Sequence, residues 1–156
     1  MSKFKIGVLR EEKSPPDKRV PLTPLICTEL LRSYPNLEIV IQPSKIRCYS
    51  DDEYLAFGLT LQEDLSDCDV LMGVKEVPKD LLLPNKKYFF FSHTIKKQPH
   101  NQKLMKALIE KKIQMIDYET LTDKNHNRII GFGRFAGIVG AYNGILGMEK
   151  NMTCFN

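Results

Sequence analysis

Apolar positions along this chain fall into two alternating kinds of run. Short runs rich in β-branched and aromatic residues occur at Lys5 to Leu9, Leu37 to Ile41, Asp69 to Val74, Tyr88 to Phe91 and Ile113 to Tyr118. A further short apolar piece lies at Arg128 to Ile130. Their length and composition predict buried parallel strands. Between them the spacing becomes helical: Pro24 to Ser33 carries Leu25, Leu30 and Leu31 on one side, and Asn101 to Glu110 carries Leu104, Met105, Leu108 and Ile109. Thr23 is placed to cap the first of these helices, with Pro24 in its first turn. Ser50 and Glu53 form a capping-box pattern at the head of a shorter helix over Asp51 to Phe57. The β-α-β-α order predicts an α/β fold: a mostly parallel, Rossmann-like sheet with helices on both faces, ending in a long linker helix.

Length and charge narrow this picture. A chain of 156 residues fits one domain with a substantial core. Lys and Arg number 23 against 19 Asp and Glu, an excess too small and dispersed to predict a nucleic-acid partner. No apolar stretch reaches membrane-spanning length, and the N-terminus enters a strand without a signal or transit segment, so the expectation is a cytoplasmic protein with no membrane partner. Cys27, Cys48, Cys68 and Cys154 show neither Cys-x-x-Cys spacing nor a paired His. No metal site is expected, and the thiols read as packing residues.

Candidate chemistry lies at strand ends, where open α/β sheets bind ligands. Lys75 and His93 each follow a strand-like run, in Gly73-Val74-Lys75-Glu76-Val77-Pro78 and Phe91-Ser92-His93-Thr94. On neighbouring strands they would share one rim. A Lys and a His converging on a cleft can divide proton transfers, because burial or a nearby charge moves a Lys pKa down from about 10.4 and a His pKa either way around about 6.5. The competing reading makes Lys75 a solvated loop residue and His93 a strand-end cap. Lys18-Arg19-Val20-Pro21-Leu22-Thr23-Pro24, after the first strand, adds a cation to the same end.

Two glycine patterns compete near the C-terminus. Gly131-Phe132-Gly133-Arg134-Phe135-Ala136 matches G-x-G-x-x-A, a dinucleotide-binding turn. A working fingerprint needs a complete βαβ unit of roughly 30 residues closed by an acidic residue, and only Gly137 to Asn156 follow. Gly137, Gly140, Ala141, Gly144 and Gly147 instead put small residues on one face of a helix over Phe135 to Lys150. Such a face admits another backbone closely, so a second domain or a homo-oligomeric partner is expected there.

Several of these stretches, in order, resemble one family. Gly7-Val8-Leu9-Arg10-Glu11 with Arg19-Val20-Pro21-Leu22-Thr23-Pro24, Ile41-Gln42-Pro43-Ser44, Leu61-Gln62-Glu63-Asp64, Gly73-Val74-Lys75, Phe91-Ser92-His93-Thr94-Ile95-Lys96, Ile116-Asp117-Tyr118-Glu119 and Phe132-Gly133 to Ala136-Gly137 carry the resemblance. It is to the N-terminal substrate domain shared by alanine dehydrogenase, the proton-translocating transhydrogenase and the saccharopine dehydrogenases, nearest the lysine–ketoglutarate reductase half of aminoadipic semialdehyde synthase. The resemblance implies that Lys75 and His93 are the acid/base pair and that Arg19 binds a substrate carboxylate. It nominates Glu76 and Glu119 as carboxylates that tune Lys75, and Arg134 as a weaker cofactor contact. The implied substrates are an amino acid and a keto acid, with NAD or NADP as cofactor in the complete enzyme. The implied reaction is reductive amination of 2-oxoglutarate by lysine to saccharopine, or its reverse; an alanine dehydrogenase or transhydrogenase domain and a non-catalytic remnant are the alternatives. On this reading residues 1–134 form the substrate domain, 135–150 a linker and interface helix and 151–156 a tail. The nucleotide-binding domain is absent, so the chain alone is expected to be inactive and to bind no dinucleotide tightly.

Overall fold

The structure is a computed structural model that describes residues 3–152, for residues 149–152 the backbone only. The chain divides into two compact units, Met1–Thr120 and Leu121–Asn156. The first unit holds six strands: β1 (Phe4–Val8), β2 (Leu37–Ile41), β3 (Thr60–Leu61), β4 (Val70–Lys75), β5 (Lys87–Phe91) and β6 (Gln114–Asp117). Every pairing is parallel, in the order β3-β2-β1-β4-β5-β6. The chain therefore builds outward from β1 in one direction, then returns and builds in the other. The carboxyl ends of β1 and β4 flank the point where the order reverses, which is where such sheets open a crevice.

Strand alternation distributes the apolar side chains to two cores. Val8, Ile39 and Ile41 pack with Cys27 of α1 (Pro24–Ser33) and Tyr54 of α2 (Asp51–Ala56). Val40, Leu71, Tyr88 and Phe90 pack with Leu104, Ala107 and Leu108 of α3 (Gln102–Glu110). Helices thus cover both faces, as the pattern predicts. Thr23 caps α1 by accepting from the Ile26 N–H at 3.3 Å, and Ser50 and Glu53 form a reciprocal box at the head of α2. Burial pushes the Cys27 and Cys68 thiols up to about 11, consistent with inert packing residues; Cys48 is exposed, and Cys154 lies outside the described residues.

Three local features depart from the sequence reading. β3 is two residues long, too short to display an alternating pattern. Short 3-10 turns follow β5 at Thr94–Lys96 and β6 at Tyr118–Thr120, so Tyr118 lies in a turn and not in the strand that its apolar run predicts. The apolar piece at Arg128 to Ile130 forms no strand; Arg128 makes a single antiparallel bridge with Thr122. In the second unit, α4 spans Arg134–Met152.

Candidate active site

β4 and β5 are hydrogen-bonded neighbours, so the two strand-end residues do share a rim. The register runs Val70 to Lys87, Leu71 to Tyr88 and Met72 to Phe89, then slips so that Lys75 pairs with Phe91, two residues before His93. One extra residue is accommodated in β4 by this irregularity, which re-aims the end of the strand.

A carboxylate that the sequence reading missed holds that end. Glu11, just beyond β1, is 9% exposed. It accepts from the Val74 N–H at 2.7 Å through Oε1 and from the Lys75 N–H at 2.9 Å through Oε2. Successive N–H groups of a regular strand point to opposite sides; at the bulge both reach one side chain. Desolvation raises the Glu11 pKa, and the two backbone donors oppose that rise only in part. Glu11 closes the Gly7-Val8-Leu9-Arg10-Glu11 stretch after β1, at the switch point, which is the signal that could have found it.

Cations and acids gather around Glu11. Arg19 is half-exposed and grips Asp17, with Nε 2.9 Å from Oδ1 and Nη2 2.6 Å from Oδ2. That pair holds the Asp17 carboxyl well below its usual range, at about 2. The Arg19 and Asp17 charges both act on Glu11, and the Lys75 charge acts on Asp17. One edge of the Arg19 guanidinium is thus engaged from within the chain, while Nη1 lies outside the pair. A cleft of about 240 Å³ opens beside Lys75, lined by Leu9, Glu11, Gly73, Glu76 and Tyr88 among others.

The two acids nominated to tune Lys75 also meet other groups of the chain. Glu76 pairs through Oε1 with Lys13, and its Oε2 is buried without a hydrogen-bond partner. Glu119 places Oε2 3.1 Å from His93 Nδ1 and Oε1 3.6 Å from Lys96 Nζ.

His93 adopts a left-handed backbone (φ 56°, ψ 11°), which turns the chain out of β5. Its ring stacks on Phe91 at 6.5 Å, and Phe91 meets Tyr118 edge-on at 5.1 Å. Burial, with the Glu11 charge, raises the Tyr118 phenol pKa. Phe91 and Tyr118 therefore link the surroundings of Lys75 to those of His93. Arg134 begins α4 in the second unit, its guanidinium 5.3 Å from the Phe135 ring centroid.

The glycine turn does not fit a dinucleotide. Gly133 has φ +54° and a helix follows it. The residues before it form no strand of the sheet, their one β-bridge being Thr122–Arg128, whereas the phosphate cradle needs a strand of a parallel sheet running into the turn.

An all-parallel sheet with helices on both faces defines an α/β domain of the doubly wound kind. The chain belongs to the family described as alanine dehydrogenase/PNT, N-terminal domain, which matches residues 7–139. It is 38% identical over 145 residues to the mitochondrial alpha-aminoadipic semialdehyde synthase of Bos taurus, covering 92% of this chain and 15% of that protein. A saccharopine dehydrogenase (NAD(+), L-lysine-forming) of Yarrowia lipolytica is 29% identical over 142 residues, covering 88% of this chain and 38% of its own length. In fold, a solved L-alanine dehydrogenase superposes with a TM-score of 0.63 at 20% identity, over 79% of this chain and 34% of that one. The chain thus spans well under half the length of each. Among the described residues, no helix is long and apolar enough to cross a membrane.

Proposed function

We propose that this chain is the substrate domain of a saccharopine-type reductase, which joins lysine to 2-oxoglutarate with NAD(P)H or runs the reverse reaction. The observation that carries the reading is the register that sets Lys75 and His93 on neighbouring parallel strand ends, in a chain similar to proteins named for this chemistry. Condensation of an amine with a keto acid needs an amine stripped of its proton and a carbonyl oxygen that leaves as water. One base and one acid within hydrogen-bond reach supply both. Lys75 and His93 take these roles, with His93 oriented by Glu119. Arg19 binds a substrate carboxylate, which meets the Nη1 edge or displaces Asp17. Glu76 and Glu119 set the charge around the pair. The dinucleotide supplies the hydride when bound, and because the glycine turn here lacks its strand, we assign it to a nucleotide-binding domain outside this chain. Arg134 is the residue of this chain best placed in sequence to meet that domain.

The test is reconstitution. The purified chain, mixed with a nucleotide-binding domain from a saccharopine-forming relative, is assayed for NAD(P)H oxidation with lysine and 2-oxoglutarate, and separately with pyruvate and ammonia. The reading expects turnover with the first pair only, and none from the chain alone. Turnover with pyruvate and ammonia would make it an alanine dehydrogenase domain; a folded complex active with neither would make it a binding remnant.

A further inference from the structure

One buried carboxylate has no part in the proposed proton transfers, yet both residues that flank the histidine depend on it. Asp117, the last residue of β6, is 4% exposed. Its Oδ2 accepts from the Ser92 Oγ at 2.5 Å, and its Oδ1 accepts from the Glu119 N–H at 2.9 Å and, more weakly, from the Ser92 N–H at 3.4 Å. Ser92 has no exposed surface, and its Oγ also accepts from the Thr94 N–H at 3.1 Å. Asp117 therefore ties the residue before His93 to the residue that faces His93 Nδ1.

A left-handed backbone at a non-glycine residue costs about 1 to 2 kcal/mol and persists only where its surroundings hold it. Here the hold is explicit: Ser92 fixes the preceding peptide, Thr94 the following one, and Asn101, itself buried, donates through Nδ2 to the His93 carbonyl at 2.9 Å. Burying a carboxylate is costly unless hydrogen bonds satisfy it. The donors that do so belong to Ser92, the residue before His93 in the chain, and to Glu119, the residue that meets its Nδ1.

We propose that Asp117 and Ser92 are positioning residues that hold His93 and Glu119 in register, so that Nδ1 carries the ring proton and Nε2 presents its lone pair to a substrate. Glu119 can accept only from a protonated Nδ1, so the contact selects the tautomer as long as the two residues stay in place. The proposal rests on the reading of His93 as a proton-transfer residue only for its significance; the geometry stands by itself.

The experiment uses the full chain, labelled with ¹⁵N at histidine, and reads the His93 tautomer by long-range ¹H–¹⁵N correlation at a pH where the ring is neutral. The His93 signal is identified by its loss in His93→Asn. The wild type is expected to be predominantly Nδ1–H. Asp117→Asn puts an amide N–H against donors that now meet an oxygen, and Ser92→Ala removes one hydroxyl bond. Each is expected to lower the Nδ1–H to Nε2–H ratio about fivefold or more, the scale of one lost hydrogen bond. Ser92→Thr, which keeps the hydroxyl, should restore the ratio. If Asp117→Asn fails to fold, Ser92→Ala decides. A wild-type ring that favours Nε2–H, or a Ser92→Ala protein that loses thermal stability with an unchanged ratio, overturns the proposal. Neither result depends on turnover, so it fails or holds separately from the reductase reading.

Discussion

Two carboxylates near Lys75 answer to pH in opposite ways. Asp17 is depressed to about 2 by Arg19, so its folded form binds fewer protons than the unfolded chain between about pH 4 and 2. Stability from that pair is fully present above the ordinary value of 3.8 and is lost as the pH falls through about 2. Glu11 is raised above its ordinary 4.5 by burial, so its ionised form costs stability above the folded pKa, and that cost is relieved as the pH falls. Denaturant midpoints measured from pH 7 to 3 should show the wild type gaining on Glu11→Gln as the pH drops, and losing its advantage over Asp17→Asn toward the acid end. Parallel curves for both variants would mean that neither carboxylate is perturbed. In the reconstituted enzyme, Arg19→Ala should weaken use of the keto acid by about 1.5 to 3 kcal/mol in kcat/KM, as for a charged hydrogen bond. Lys75→Met should lower kcat far more than it raises KM. The places of Lys75 and His93 at and just after strand ends were legible in the sequence because each follows an apolar run. The partners of Glu76 and Glu119 were not, since a side chain's direction at a bulged strand end depends on a register that no single stretch encodes.

At the scale of elements, caps and periodicities told most of what the structure shows. The helix α1 begins at the proline after its capping threonine, and α2 begins after its serine, because local hydrogen bonds fix both starts. What stayed hidden were the contacts between elements. Gly7 in β1 is one: a Cβ there would stand 2.8 Å from Leu71 Cδ2 and 3.0 Å from Cys68 Sγ. Gly7→Val should therefore destabilise the chain by about 1 to 3 kcal/mol through overpacking, read as a lower denaturant midpoint with an unchanged m-value. Helix α4 poses the opposite case. Gly137, Gly140, Gly144 and Gly147 have nothing within 4 Å of an added Cβ, and Ile138, Tyr142 and Ile145 are exposed. Glycine weakens a helix by about 1 kcal/mol each relative to alanine, so the helix is expected to gain its stability by self-association. Sedimentation should find an oligomer that Gly140→Leu with Gly144→Leu dissociates; a wild-type monomer would remove the interface.

For the whole molecule, the strand order explains why chemistry collects where it does. Reversal between β1 and β4 opens the rim where Glu11 holds the backbone of Lys75, and β5, beside β4, ends two residues before His93. The alternation of strands and helices announced a parallel sheet. The order of the strands could not be read from that alternation, because adjacent sequence positions are compatible with several crossovers. The shared rim was expected from the matching positions of Lys75 and His93 after two strand-like runs, on the condition that those strands are neighbours. The central claim, that these strand ends form one substrate site, is tested most directly by titrating the ¹⁵N-labelled chain with saccharopine. The Lys75 amide and the His93 ring signals are expected to move together and to saturate at the same ligand concentration, with both responses weakened in Arg19→Ala. Shifts at only one of the two, or two different saturation points, would contradict a single site.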